Sequence, residues 1–319
     1  MRERIKSFLN RLPYIKDLYN QLEEQNVLLE KQWVTIKSLQ EQVQKQGFVP
    51  PGHFYSPIPS EEDILSYIGS RKPLGHELMG ITLNKQNQLE LLEEYVQFYQ
   101  ELPFPEKQMS KTRYYYENDL FSYSDAIFLF CFLRKHQPKK IIEVGSGFSS
   151  AVMLDTVDNF FSVKPEITFI EPYPDRLMSL LRGDDQIQVK IIDKKIQDVS
   201  TDIFLSLQAG DLLFIDSSHV LKYGSDLELL MFEILPRLVP GIFVHFHDIF
   251  YSFDYPIEWI KEGRYWNEGY ILRAFLSYNC DWSIYFFNQY VNFEFSDLIK
   301  ERMPLCAKNS GGSIYIKRQ

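Results

Sequence analysis

Cysteine is scarce in this chain. Three in 319 residues, at positions 131, 280 and 306, are odd in number and far apart, which fits neither a disulfide framework nor a zinc knuckle. A reducing, cytoplasmic compartment is the expectation. Long apolar runs are missing as well. The longest, Ile127–Leu133, falls far short of the roughly 20 residues of a membrane span, and with Asp125 and Arg134 flanking it, it reads as a buried helix. No block of basic residues stands out, and 34 Lys and Arg against 43 Asp and Glu leave a charge of −9. The phosphate attraction that dominates nucleic-acid binding is therefore absent. Arg2, Arg4, Lys6 and Arg11 are followed by no apolar stretch, which argues against a secretory signal and reads as a solvated helix start. What is present, 45% apolar and 24% charged residues, is the balance of a chain that buries a core. The length predicts about two folded units.

From Ile15 onward apolar residues recur every seven. Ile15, Leu22, Leu29, Ile36 and Val43 form one series (a), and Leu18 and Leu39 belong to a companion series three residues later (d), interrupted by Gln25, Gln32 and Gln46. This is the seam of a coiled coil. It predicts a stalk over residues 1–46 that joins copies of the chain into a homo-oligomer; a helix folded back on its own globular domain is the plainer alternative. Gly47 and Pro50-Pro51-Gly52 end the helix. Residues 47–118 read as a small helical cap on the substrate side. They hold a loop at 53–59, a helix opened by Ser60 at N-cap spacing to Asp63, a second helix over Leu83–Glu101, and an aromatic, polar stretch at Arg113–Asn118.

Beyond residue 118 short apolar runs alternate with helical stretches: Lys140–Val144, Ile167–Glu171, Ile187–Asp193, Asp211–Asp216 and Gly241–His247. Two later runs, Trp282–Tyr290 and Ser313–Lys317, complete the set, and a helix over Asp226–Val239 starts with Ser225 and Glu228 at capping-box spacing. The predicted fold class is α/β: a Rossmann-like, seven-stranded, mostly parallel sheet with helices on both faces, spanning residues 119–319.

The first strand runs into Glu143-Val144-Gly145-Ser146-Gly147-Phe148-Ser149-Ser150 and then a helix. Two glycines allow a tight turn and close approach of a ligand, and the helix offers its free amides. Glu171 closes the second strand, where a carboxylate can accept both hydroxyls of a ribose. A dinucleotide fingerprint wants a third glycine where this chain has Ser150, and Glu143 would repel a pyrophosphate. A carboxylate there suits a cationic ligand, and S-adenosylmethionine carries an amino group and a sulfonium.

The string Ile141-Ile142-Glu143-Val144-Gly145-Ser146-Gly147 resembles the first motif of class I S-adenosylmethionine-dependent methyltransferases, and Ile170-Glu171-Pro172 their second. Leu213–His219, Asp226 and Pro240–Asp248 are similar to the bacterial branch that includes macrolide-sugar O-methyltransferases and cephalosporin-hydroxylase-like proteins. The resemblance covers residues 119–319. It implies transfer of a methyl group from S-adenosylmethionine to a hydroxyl of a saccharide or glycosylated metabolite, with a divalent metal such as Mg2+ beside the cofactor. Carried over, Glu143, Gly145, Ser146 and Gly147 hold the methionine part, Glu171 the ribose, and Asp193 lies near the adenine. Asp216, His247 and Asp248, at the ends of the fourth and fifth strands, are the implied metal ligands, although relatives tend to carry acids or amides where His247 stands.

A sugar hydroxyl is too weak an acid to attack a methyl group at neutral pH unless a metal stabilises its alkoxide or a base takes its proton. His219, three residues past Asp216, is the candidate base. Each residue has a plainer alternative: Asp216 as a helix cap, His219 as a structural histidine, the aromatic stretches as packing. His245 reads as core. Two competing functions remain on the sequence. One is a non-heme iron oxygenase using His219, His247 and one of Asp216 or Asp248. The other is an inactive scaffold whose coiled coil carries the function.

Overall fold

A proline at the first position of a helix loses nothing by lacking its amide, and the first helix among the described residues starts at Pro13 and runs for 32 residues to Gln44 without another proline or a glycine. The computed structural model describes residues 13–44, 47–70 and 77–319. The basic run Arg2–Arg11 and the seam position Gln46 lie outside the described residues. The chain divides into two units, Met1–Arg71 and Lys72–Gln319.

In the first unit the long helix exposes its side chains from Lys16 through Leu39. After the loop, a helix spans Glu61–Ser70. Its start is closed reciprocally: Ser60 Oγ accepts the Asp63 amide at 3.0 Å, and the Ser60 amide donates to Asp63 Oδ2 at 3.2 Å. The Ser60 hydroxyl, which donates to Asp63 Oδ2 at 2.7 Å, and then the Ser60 amide lower the Asp63 pKa. Phe54 and Tyr55, in the preceding loop, are exposed.

The second unit is built on seven strands: β1 (Lys140–Val144), β2 (Glu166–Ile170), β3 (Lys190–Ile192), β4 (Leu212–Ile215), β5 (Phe243–His247), β6 (Trp282–Phe287) and β7 (Ser313–Arg318). Their order is β3-β2-β1-β4-β5-β7-β6. The first five are parallel, and β7 runs antiparallel to both β5 and β6. The apolar run Ile127–Leu133 is indeed helical, within Tyr123–His136, and fully buried. Each Leu or Phe so buried contributes roughly 1.5–3 kcal/mol. Among the described residues no helix is long and apolar enough to cross a membrane.

The structure departs from the sequence reading in three places. The third strand begins at Lys190 rather than Ile187, because a short helix occupies Asp185–Gln188. Asp185 takes the Arg182 amide at 2.6 Å and the Arg113 Nε at 2.7 Å, which pins a turn there. The sixth strand stops at Phe287, and Asn288 opens a helix. The Asn288 side chain donates to Asp125 Oδ1 at 2.7 Å, and that oxygen also takes Ser313 Oγ at 2.9 Å and the Gly312 amide at 3.1 Å. The helix begun at Asp226 is α-helical only to Leu229, then passes through a π turn and a 3-10 turn that ends at Arg237, where Pro236 has no amide to continue it. The Arg113–Asn118 stretch follows its plainer alternative of packing: Tyr114 and Tyr116 are buried edge-on against Phe104.

Candidate active site

β1 ends at Val144, and the chain turns through Gly145 at φ +82°. A Cβ on Gly145 would fall 1.7 Å from the carbonyl oxygen of Asp216, so only glycine lets this loop lie against the end of β4. The Asp216 amide donates to Val144 O at 2.8 Å and the Gly145 amide to Ile170 O at 3.0 Å, tying the ends of β1, β2 and β4 into one rim.

A cavity of about 410 Å³ opens on that rim, lined by Gly145, Glu171, Tyr173, Lys195–Gln197, Asp216–Ser218 and Lys222 among others. Glu171 accepts the Ser146 amide at 3.0 Å and the Tyr173 amide at 2.8 Å, which holds its carboxylate at the cavity. Ser146, expected with Gly147 to hold the ligand, is buried, and neither residue is part of the lining. Glu143 behaves differently from the reading that gave it a ligand: it is wholly buried, does not line the cavity, and takes the hydroxyls of Ser149, at 2.5 Å, and Ser150. Burial pushes its pKa up to about 8 against the pull of those hydroxyls. Ser150 Oγ in turn accepts the Gly147 amide at 3.0 Å, so Glu143 braces the loop from below. Asp193 is exposed past the end of β3 and is not part of the lining; the Lys195–Gln197 stretch is. A larger hollow of about 900 Å³ lies along β6 beside residues 77–84 and contains none of the acids or histidines singled out from the sequence.

Next to the cavity, Asp216, His219 and Asp248 each bring one ligand atom within 4.8 Å of the others. His219 Nε2 lies 3.4 Å from Asp216 Oδ1 and 3.5 Å from Asp248 Oδ2, and Nδ1 lies 2.8 Å from Glu268 Oε2. His219 and Asp248 both have positive φ, +59° and +56°, a conformation that non-glycine residues adopt at a cost. The His219 carbonyl is held by the amides of Asn267 and Glu268 at 3.1 and 3.2 Å. His247, the expected third ligand, stays outside the trio. It is buried, its Nε2 is 3.8 Å from Asp248 Oδ1, its Nδ1 has no partner, and its ring sits 4.9 Å from that of Phe121. His245 is wholly buried and stacks on Phe214 at 3.8 Å, with burial pushing its pKa well down.

The charges are coupled. Burial works to raise Asp216, but His247 and His219 outweigh it and hold its carboxyl below the usual range. Burial raises Asp248, only partly offset by His247 and His219. Burial opposes charge on His219, yet Asp216 and Glu268 lift its pKa well above the ordinary value. The same contest, with Asp216 and Asp248 as the acids, raises His247. The trio therefore suits a cation, whether a proton on His219 or a metal between the carboxylates. A buried carboxylate on the far nitrogen of a histidine fixes which nitrogen faces the site.

Two of these participants were not legible in the sequence. Glu268 is 49 residues from His219, and as the first residue of the helix Glu268–Leu276 it reads as an ordinary first-turn acid. Trp266 packs its ring 4.2 Å from that of His219 and 5.2 Å from Trp259; only the local richness in tryptophan hinted at it.

A sequence model of the methyltransferase-domain family matches residues 142–249, from β1 through the residue after Asp248. An uncharacterized protein of Archaeoglobus fulgidus is 38% identical over 165 residues, covering 50% of this chain and 73% of that protein. Among solved structures, the chain is similar to the SAH-bound methyltransferase PaMTH1 of Podospora anserina at 13% identity and a TM-score of 0.40, over 83% of this chain and 99% of that one. It is also similar to the O-methyltransferase TomG from Streptomyces achromogenes, in complex with SAM, at 13% identity and a TM-score of 0.36, over 81% and 96% of the two chains.

Proposed function

We propose that the chain is a class I S-adenosylmethionine-dependent methyltransferase, a cytoplasmic O-methyltransferase acting on a hydroxyl of a saccharide or glycosylated metabolite, assisted by a divalent ion. One observation carries this reading. Asp216 is at once a wall of the cavity and a member of the trio with His219 and Asp248, so a methyl donor in the cavity and an acceptor oxygen at the trio would meet. The cytoplasmic assignment is supported by three cysteines that are all free thiols.

The residues suit the donor. Glu171 has lone pairs left for ribose hydroxyls, and Gly145 admits close approach of the ligand. Glu143 acts indirectly, by stiffening the loop through Ser149 and Ser150.

The donor set also suits a hard divalent ion, with Asp216 and Asp248 as the oxygen ligands and His219 beside them. Such an ion would supply positive charge that lowers the acceptor's pKa and offsets the carboxylates that keep His219 protonated. In the transfer, the acceptor oxygen forms a bond to the methyl carbon as the carbon–sulfur bond breaks, and the electron pair leaves with sulfur. The acceptor's proton passes to His219 Nε2. Glu268, on Nδ1, holds the ring with Nε2 toward the site and stabilises the imidazolium that forms. Trp266 supports the other side of the ring.

The iron reading needs two imidazoles and one carboxylate, whereas the trio among the described residues has one imidazole and two carboxylates. The test is methyl transfer from labelled S-adenosylmethionine to a panel of saccharides, glycosylated metabolites and catechols. Label on a sugar hydroxyl, lost with chelator and restored by Mg2+, is expected. Transfer only to non-sugar acceptors, or transfer indifferent to chelator, contradicts the proposal.

A further inference from the structure

We propose that the helix Pro13–Gln44 is one member of a parallel, in-register coiled coil formed by copies of this chain. Its seam is uncovered: Leu22 and Leu29 at a are 55% and 53% exposed, and Leu18 and Leu39 at d are 47% and 53% exposed. The charges are sorted. From Ile15 through Leu39 every charged residue, namely Lys16, Asp17, Glu23, Glu24, Glu30, Lys31 and Lys37, falls at b or c, on the side away from the seam. Positions e and g, which flank it, carry no charge and include Tyr19, Leu28 and Trp33, the last 68% exposed. Val27 and Val34, at f, are exposed apolar residues on the outer side.

This pattern selects a copy as the partner. Flanking charges ordinarily choose between partners and repel wrong ones; with none at e or g, nothing on the seam's edges opposes identical helices. Gln25 and Gln32 occupy two successive d layers, and an amide both donates and accepts. Identical glutamines facing each other complete one another when the helices are parallel and in register. A slip of one heptad keeps one glutamine pair, Gln25 against Gln32, but sets the other chain's Gln25 against Leu18 and the first chain's Gln32 against Leu39, and leaves those amides buried without partners. At about 1.5 Å per residue the helix is roughly 48 Å long, and in this arrangement every chain leaves the stalk at the same end.

The proposal is independent of the methyl-transfer chemistry. Its test uses the full chain with the exposed Cys280 replaced by serine and Gln25→Cys added; the other two cysteines, Cys131 and Cys306, are buried. Mild oxidation is expected to link Gln25→Cys chains in pairs, while Lys31→Cys, at an outer c position, stays unlinked. Light scattering on the unmodified protein is expected to give a multiple of 37.8 kDa. Leu22→Asp with Leu29→Asp should return it to the mass of one chain, with the near-ultraviolet circular dichroism of the globular unit unchanged. A one-chain mass for the unmodified protein, an oligomer that survives both aspartates, or linkage through Lys31→Cys in place of Gln25→Cys overturns it.

Discussion

Two buried charge clusters stand a few elements apart in the second unit, and they are built on opposite plans. Around Arg113 the protein completes everything itself. Nε donates to Asp185 at 2.7 Å, Nη1 to Asp155 at 2.7 Å and Nη2 to Asp158 at 2.7 Å, and Asp155 also accepts the amides of Arg113 and Tyr114 at 2.8 and 2.9 Å. Around His219 the contacts to Asp216 and Asp248 stretch to 3.4 and 3.5 Å, and Glu268 Oε1 and His247 Nδ1 have no partner. The first cluster is short, bidentate and finished, as a structural clamp should be. The second is loose, strained and rich in carboxylate, which is how a site looks when a guest supplies the missing charge.

Breaking each cluster should therefore damage different quantities. His219→Gln is expected to lower methyl transfer by about 10²–10⁴-fold, with the urea midpoint nearly unchanged; a large stability loss with normal turnover per folded molecule would make His219 structural. Arg113→Met should do the reverse. Removing one partner strands buried aspartates and costs about 3–5 kcal/mol in urea unfolding, while the folded fraction keeps its turnover. Glu268→Gln retains a hydrogen-bond acceptor but not the charge, and a loss of about 10–100-fold is expected, carried by kcat more than by KM for the acceptor.

The smallest effect is a pH dependence that sharpens the contrast. Burial works to raise Asp158 and Asp185, but Lys164 with Arg113, and Arg113 with the Arg182 amide, outweigh it and hold both below the ordinary 3.8. Their folded values lie under their unfolded ones, so the stability they contribute is complete above the ordinary carboxylate range and is lost as pH falls through the folded values. Arg113→Met should flatten this acid limb of a urea-midpoint titration; an unchanged limb would detach it from the cluster.

Much of this was legible before any coordinates. Apolar runs that end in a glycine or an acid mark strands that stop at a sheet's carboxyl rim, which is why β1, β4 and β5 and the residues Gly145, Glu171, Asp216 and Asp248 could be read directly. What could not be read depends on partners distant in the chain. The direction of Glu143 is set by two serine hydroxyls that come beneath it only once the next helix forms. The late start of β3 follows from Arg113, 72 residues before Asp185. The exchange of His247 for His219 in the trio reflects a left-handed turn after β4 and a carboxylate from another helix, and neither leaves a periodic trace.

Titration calorimetry of S-adenosylmethionine into the full chain, beside Gly145→Ala, addresses the donor cavity most directly. Micromolar binding by the parent is predicted, with loss in the variant, whose added methyl group collides with the Asp216 carbonyl. Absence of heat with the parent, or equal affinity in the two proteins, would contradict the assignment of this cavity to the methyl donor.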